Sequence, residues 1–244
     1  MEIYEWILLG LVILAAGYIQ SVAGFAFGIV AMIFLPHLLV YTEANLLSAI
    51  LSTLTSAVMI FSVARHIDWK NLFFPLLGSV VANYLAITFV KEAQSELLTL
   101  LLGIALFGLS IYFFFFSHKI KFRPTPLAGL IAGLASGVLS GLFSIGGPPI
   151  VIYYMQSERE TEKYLATVSA YFVLSGFFAI GMKVFSGFFT AQVGVGLAVG
   201  LPLLLLGSFL GRLTRGHLSP TAMKKAVYGV MAVSGIVNVV TSLL

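Results

Sequence analysis

The chain has 244 residues, of which 60% are hydrophobic and only 9% charged, with a mean hydropathy of +1.07. A soluble domain carries about 25% charged residues, so the composition excludes one and predicts an all-α, polytopic membrane protein. The formal charge of +4 reads as basic loops reporting topology rather than as a nucleic-acid partner, and the absence of cysteine excludes disulfides, thiol catalysis and cysteine-ligated metals.

The N-terminal run MEIYEW is acidic where a cleavable leader would be positive. An uncharged stretch then runs from Trp6 to Thr42, too long for one span of about 20 residues. The small-residue run SVAGFAFG, Ser21–Gly28, breaks it near its middle. Three stretches of single-span length follow: Ala44–Ala64, Asn71–Val90 and Leu97–His118. A basic linker, 119–123, leads to a second over-long stretch, Pro124–Ser157, broken at SGLFSIGGPP, Ser140–Pro149. Tyr164–Met182, Val184–Gly211 and Ala226–Leu244 complete the chain. The joining loops are short and leave no room for a soluble domain.

Sliding the sequence over itself aligns GYIQSVAGFAFG (Gly17–Gly28) with GVLSGLFSIGGP (Gly137–Pro148) without a gap. Glu43 then falls on Glu162, Gly78 and Ala82 on Gly207 and Gly211, and Gly103 on Gly229. The reading is an internal duplication, 1–118 and 124–244, each half one broken segment plus three ordinary transmembrane helices.

Charge sidedness tests how the broken segments run. If all eight segments cross once, the 13 Lys and Arg divide six against seven, which is no bias. If each broken segment returns to its starting side, only Lys91 and Lys183 of the 13 lie opposite the rest. Short basic loops stay in the cytoplasm, so the second arrangement is preferred. It places both termini outside and makes the halves inverted repeats, a common transporter plan. Re-entrant hairpins and paired short helices give the same sidedness.

Paired interruptions in corresponding apolar segments point to a transporter's substrate site. Non-helical backbone at membrane depth must be buried in protein or line a wet cavity. Half-helices starting after each break would aim free N–H groups and positive dipole ends at that cavity. The expected site for a small anion therefore comprises Gln20, Ser21, Gly24, Phe25, Phe27 and Gly28 from the first break. The second contributes Ser140, Gly141, Ser144, Ile145, Gly146, Gly147 and Pro148. Ser52 and Ser169 would join from the following helices, which also carry Ser48, Thr53, Thr55, Ser56, Thr167 and Ser175, those facing inward lining the path. No catalytic residue, metal or cofactor is expected.

Each feature has a blander reading. Glycines spaced along helices serve close packing, hydroxyls bond back to their own helix, and a lone Lys183 snorkels. All nine carboxylates are assigned to termini or loops, which argues against an embedded acidic ion site. The histidines are scattered without metal-ligand spacing. GLFSIGG lacks the glycine two residues before Ser144 that a nucleophile elbow needs.

The duplicated motif SVAGFAFGIVAMIFLP (Ser21–Pro36) and SGLFSIGGPPIVIYYM (Ser140–Met155) resembles that of the sulfite exporter TauE/SafE family of membrane proteins. The resemblance extends over nearly the full length. It implies transport of sulfite, sulfonates or related anions across the bacterial inner membrane, with the lipid bilayer as the other partner; a homo-oligomer stays open. Ser144 stands where the family has a glycine, and Pro148 and Pro149 follow where another is common, each proline removing an amide donor. The expectation is an exporter with alternating access. Its rivals are a passive anion channel and a non-transporting membrane assembly subunit.

Overall fold

A computed structural model describes residues 2–23, 26–60, 63–115, 123–158, 160–214 and 220–243. These form ten α-helices and two short 3-10 turns, with no strand among the described residues. The first over-long stretch becomes α1 (Ile3–Ala23) and α2 (Phe27–Phe34), extended by a 3-10 turn at Leu35–His37. Helices α3 (Tyr41–Ile60), α4 (Trp69–Glu92) and α5 (Ser95–Phe115) follow. The second becomes α6 (Pro126–Phe143) and α7 (Gly147–Ser157), followed by α8 (Thr161–Phe185), α9 (Ala191–Thr214) and α10 (Pro220–Leu243).

Each over-long stretch thus divides inside its glycine-rich run, but the arms are unequal: 21 and 8 residues in the first, 18 and 11 in the second. At about 1.5 Å per residue, α1 and α6 have the length of a span, and α2 and α7 are too short to cross alone. Seven described helices are long and apolar enough to cross a membrane: α1, α3, α4, α5, α6, α8 and α9.

Local chemistry sets several starts. Asp68 caps α4 by accepting from the Lys70 and Asn71 amides at 3.1 and 3.2 Å. Thr125 caps α6 by accepting from the Ala128 amide at 3.1 Å, with Pro126 in the first turn where no amide is missed.

The principal helix pairs are α1 with α9, α4 with α6, α3 with α8, and α5 with α10, and α3–α9 and α4–α8 are lesser ones. Exchanging the first five helices for the last five maps this set of pairs onto itself. Glycines allow the close approaches. On α6, a Cβ at Gly133 would strike the Pro75 backbone and one at Gly137 would come within 2.5 Å of the Ser79 carbonyl. On α9, Gly207 and Gly211 lie in the same way against the Leu14 and Tyr18 carbonyls of α1. Small residues at such crossings let van der Waals packing hold helices together where lipid offers no hydrophobic drive.

The short arms lie innermost. Phe27 to Ile33 of α2 are all buried, as are Ile150, Val151, Tyr153 and Tyr154 of α7. Exposed Phe107, Ile111, Leu205 and Phe209 face outward from α5 and α9.

Three expectations need correction or fall elsewhere. Lys183 is not a boundary between segments: α8 runs through it to Phe185, and Gly187, at φ 85°, supplies the left-handed turn before α9. Glu43 and Glu158 are not loop carboxylates in water but sit buried at helix ends, 7% and 6% exposed. Gly24, Phe25 and linker residues 119–122 lie outside the described residues.

Candidate functional site

At the second break, α6 ends on Ser144 in a left-handed conformation, φ 56° and ψ 26°. The Ser144 amide donates to the Ser140 carbonyl at 2.9 Å and the Ile145 amide to Leu139 at 3.1 Å, which satisfies two carbonyls of the last turns of α6. A non-glycine residue there costs roughly 1–2 kcal/mol, and side-chain bonds offset it. Ser144 Oγ lies 2.8 Å from the Asn45 carbonyl and 3.0 Å from Asn45 Oδ1, donating its single hydrogen to one of them. Asn45 Nδ2 and Tyr41 Oη both donate to the Leu142 carbonyl, at 2.6 and 2.8 Å. The start of α3 therefore clamps the break between α6 and α7.

Lys183 completes the clamp. Its side chain is fully buried, and Nζ donates to Ser144 Oγ at 2.8 Å and to the Ser140 carbonyl at 3.2 Å. A snorkelling lysine would reach outward; this one reaches in to the break.

At the first break, Ala26 carries φ 109°, and Gln20 Oε1 accepts from the Phe27 amide at 3.1 Å, tying α1 to the first turn of α2. The two breaks meet: a Cβ on Gly28 would overlap the Ser144 carbonyl oxygen. Gly146 is similarly confined: a Cβ there would come within 2.9 Å of both the Ser136 carbonyl and Ser140 Cβ, and its own carbonyl accepts from Ser136 Oγ.

Between the breaks and the middles of α3 and α8 lies a cavity of about 70 Å³. A buried water needs about 10–15 Å³ measured this way, so the space holds several waters or a small oxyanion. Of the expected residues, Gln20, Phe27, Gly28, Ser52, Ser140, Ser144, Ile145, Gly146, Gly147 and Pro148 line it. Thr53, Ser56, Ser136, Tyr171 and Ser175 add hydroxyls. Ser79 and Ser175 share a hydrogen bond of 2.7 Å, and the buried Tyr171 hydroxyl faces them without meeting standard hydrogen-bond geometry. No Asp or Glu lines the cavity among the described residues.

Three expected residues stand elsewhere. Ser21 and Ser169 line a second cavity of about 400 Å³, largely apolar, with Leu54, Leu204 and Arg212. Gly141 packs against Ala86 and Asn83 of α4. Asn45 and Ser136 gave no sequence signal beyond being polar in an apolar segment. For Lys183 there was one: its charge fell on the sparse side of the eleven-to-two division.

A polar strap joins the start of α4 to the end of α7 and the start of α8. Lys163 Nζ bridges Asp68 at 2.6 Å and Glu158 at 3.1 Å, and Asn71 Nδ2 donates to Glu158 at 2.6 Å. Tyr153 Oη donates to Asn71 Oδ1 at 2.8 Å, while His66 lies 3.2 Å from Glu162. The ammonium bonded to Asp68 holds its carboxyl below the usual carboxylate range, against the opposing effect of partial burial. At the α9 start, Thr190 Oγ1 donates to Glu43 at 2.7 Å. Among the described residues, no group of His, Asp and Glu is placed to hold a metal ion.

The model of the sulfite exporter TauE/SafE family matches residues 9–237. A protein of Cupriavidus necator named probable sulfite/organosulfonate exporter TauE is 29% identical over 241 residues, covering 92% of this chain and 90% of that protein. No solved structure matches the chain.

Proposed function

The chain belongs to the sulfite exporter TauE/SafE family, and from that premise we propose that it carries a small sulfur-containing anion, sulfite or an organosulfonate, across the bacterial inner membrane. Membership makes it a multi-pass membrane transport protein rather than an enzyme. The observation that carries the reading is the convergence of both breaks on one cavity lined by hydroxyls and glycines and free of carboxylates.

Such a site binds an anion mainly through dipoles. The first turn of α2 offers the Gly28 and Ile29 amides, since Phe27 is taken by Gln20. Helix α7 begins Gly147-Pro148-Pro149, so its prolines withhold two donors and leave the Gly147 amide. Ser52, Ser56 and Ser140 supply hydroxyls that rotate to suit an oxyanion.

Alternating access would come from one half, 1–118, rocking against the other, 124–244, as inverted repeats. The exchange symmetry of the helix pairs and the self-alignment of the sequence support that relation. Export is the favoured direction, because an inside-negative potential drives an anion out by roughly 2.3 kcal/mol per charge per 100 mV.

The test is uptake of radiolabelled sulfite into proteoliposomes of the purified protein under an imposed potential. Sulfate, thiosulfate and methanesulfonate serve as competitors. Saturable, potential-driven flux blocked by a competitor is expected. Flux linear in concentration would make the protein a channel, and none above empty liposomes, with the protein folded, would overturn the reading.

A further inference from the structure

Lys183 is 0% exposed, and among the described residues no carboxylate lies within 4.0 Å of its Nζ. Burying an ammonium without a counter-charge is costly, so such a group is paired, gives up its proton or meets a ligand's charge. Its partners here are neutral: the Ser144 hydroxyl and the Ser140 carbonyl. The C-terminal end of α6 offers a negative dipole equal to only about half a charge, less than a carboxylate would supply. The positive end of α7 lies in the same break and deepens the deficit.

Both partners line the cavity between the breaks. The ammonium therefore stands one residue behind the wall, with two of its three N–H groups directed at that wall. We infer that Lys183 supplies the fixed positive charge of the anion site, acting through Ser144 and Ser140 on a sulfur oxyanion held in the cavity. The inference rests on the transport reading above and deepens it. It makes Lys183 a positioning and specificity-determining residue, one that sets how strongly the site prefers doubly charged anions.

Coulomb energy scales with ligand charge, so loss of the lysine charge should square its effect on passing from a monoanion to a dianion. In Lys183→Gln, competition against sulfite flux is expected to weaken about tenfold for methanesulfonate and about a hundredfold for thiosulfate. Lys183→Arg should keep the wild-type ratio between the two, whatever its absolute affinity. A lysine that merely staples the break would weaken both competitors by one common factor, and that result, or an unchanged ratio, overturns the inference while wild-type flux keeps the transport reading standing.

If Lys183→Gln fails to fold, Lys183→Met, similar in length and uncharged, takes its place. The thiosulfate-to-methanesulfonate ratio should again shift about tenfold; one common factor for both overturns the inference. If the wild type neither carries nor binds any of these anions, the transport reading falls and the inference with it.

Discussion

At Gly28 the two breaks touch, with no room for a Cβ beside the Ser144 backbone carbonyl. A carbonyl held by a capped helix end cannot swing aside like a flexible side chain. Gly28→Ala should therefore destabilise by about 1–3 kcal/mol, the usual cost of overpacking. Gly108→Ala on α5, where nothing lies within 4 Å of the added methyl, should be neutral or gain up to about 1 kcal/mol. Thermal unfolding in detergent checks the pair; equal melting temperatures would mean that the breaks do not meet. Ten of the fifteen expected site residues line the cavity because break position is written in local sequence. Gly141, Ser21 and Ser169 stand outside because which side of a helix faces the cavity is set by packing against other helices. Lys183 was misread for a related reason: a charge near a segment end looks like a boundary until the facing break is known.

On the scale of helices, the interruptions and the single-span stretches were legible from charge and glycine placement alone. The unequal arms were not, because an apolar run does not record where along its length the chain turns. Nor was the strap from Asp68 through Lys163 to Glu158, whose members lie on α7, α8 and the cap of α4. Its pH dependence has a definite sign. The folded pKa of Asp68 is lowered from 3.8, so its contribution is complete above that value and is lost as pH falls through the lower folded one. Near neutral pH Asp68 is therefore fully charged. Lys163→Met would strip the ammonium from Glu158, whose side chain is 2% exposed and accepts from Asn71 Nδ2. A loss of about 1–3 kcal/mol near neutral pH is expected, discounted for the half-open lysine, together with a shallower acid limb in a series of thermal melts. An unchanged acid limb would remove the strap from the stability of the fold.

For the whole molecule, the question is whether the two halves face opposite ways. Pairing α1 with α9 and α4 with α6 is the same contact seen from each half, down to glycines against carbonyls. A duplicated unit can repeat a contact in this reciprocal way when its copies are related by a two-fold axis. If that axis lies in the membrane plane, equivalent loops emerge on opposite faces, and the basic residues collect on one side as the charge count requires. The chain has no native cysteine, so single cysteines report sidedness cleanly. Val40, 60% exposed, precedes α3, and exposed Glu160 is the equivalent residue before α8. Val40→Cys should react with an impermeant thiol reagent added outside intact cells, and Glu160→Cys only after the membrane is opened. If every apolar segment crossed once, the two positions would share a face. Labelling of both from the same side would then dissolve the inverted relation, and with it the rocking of one half against the other.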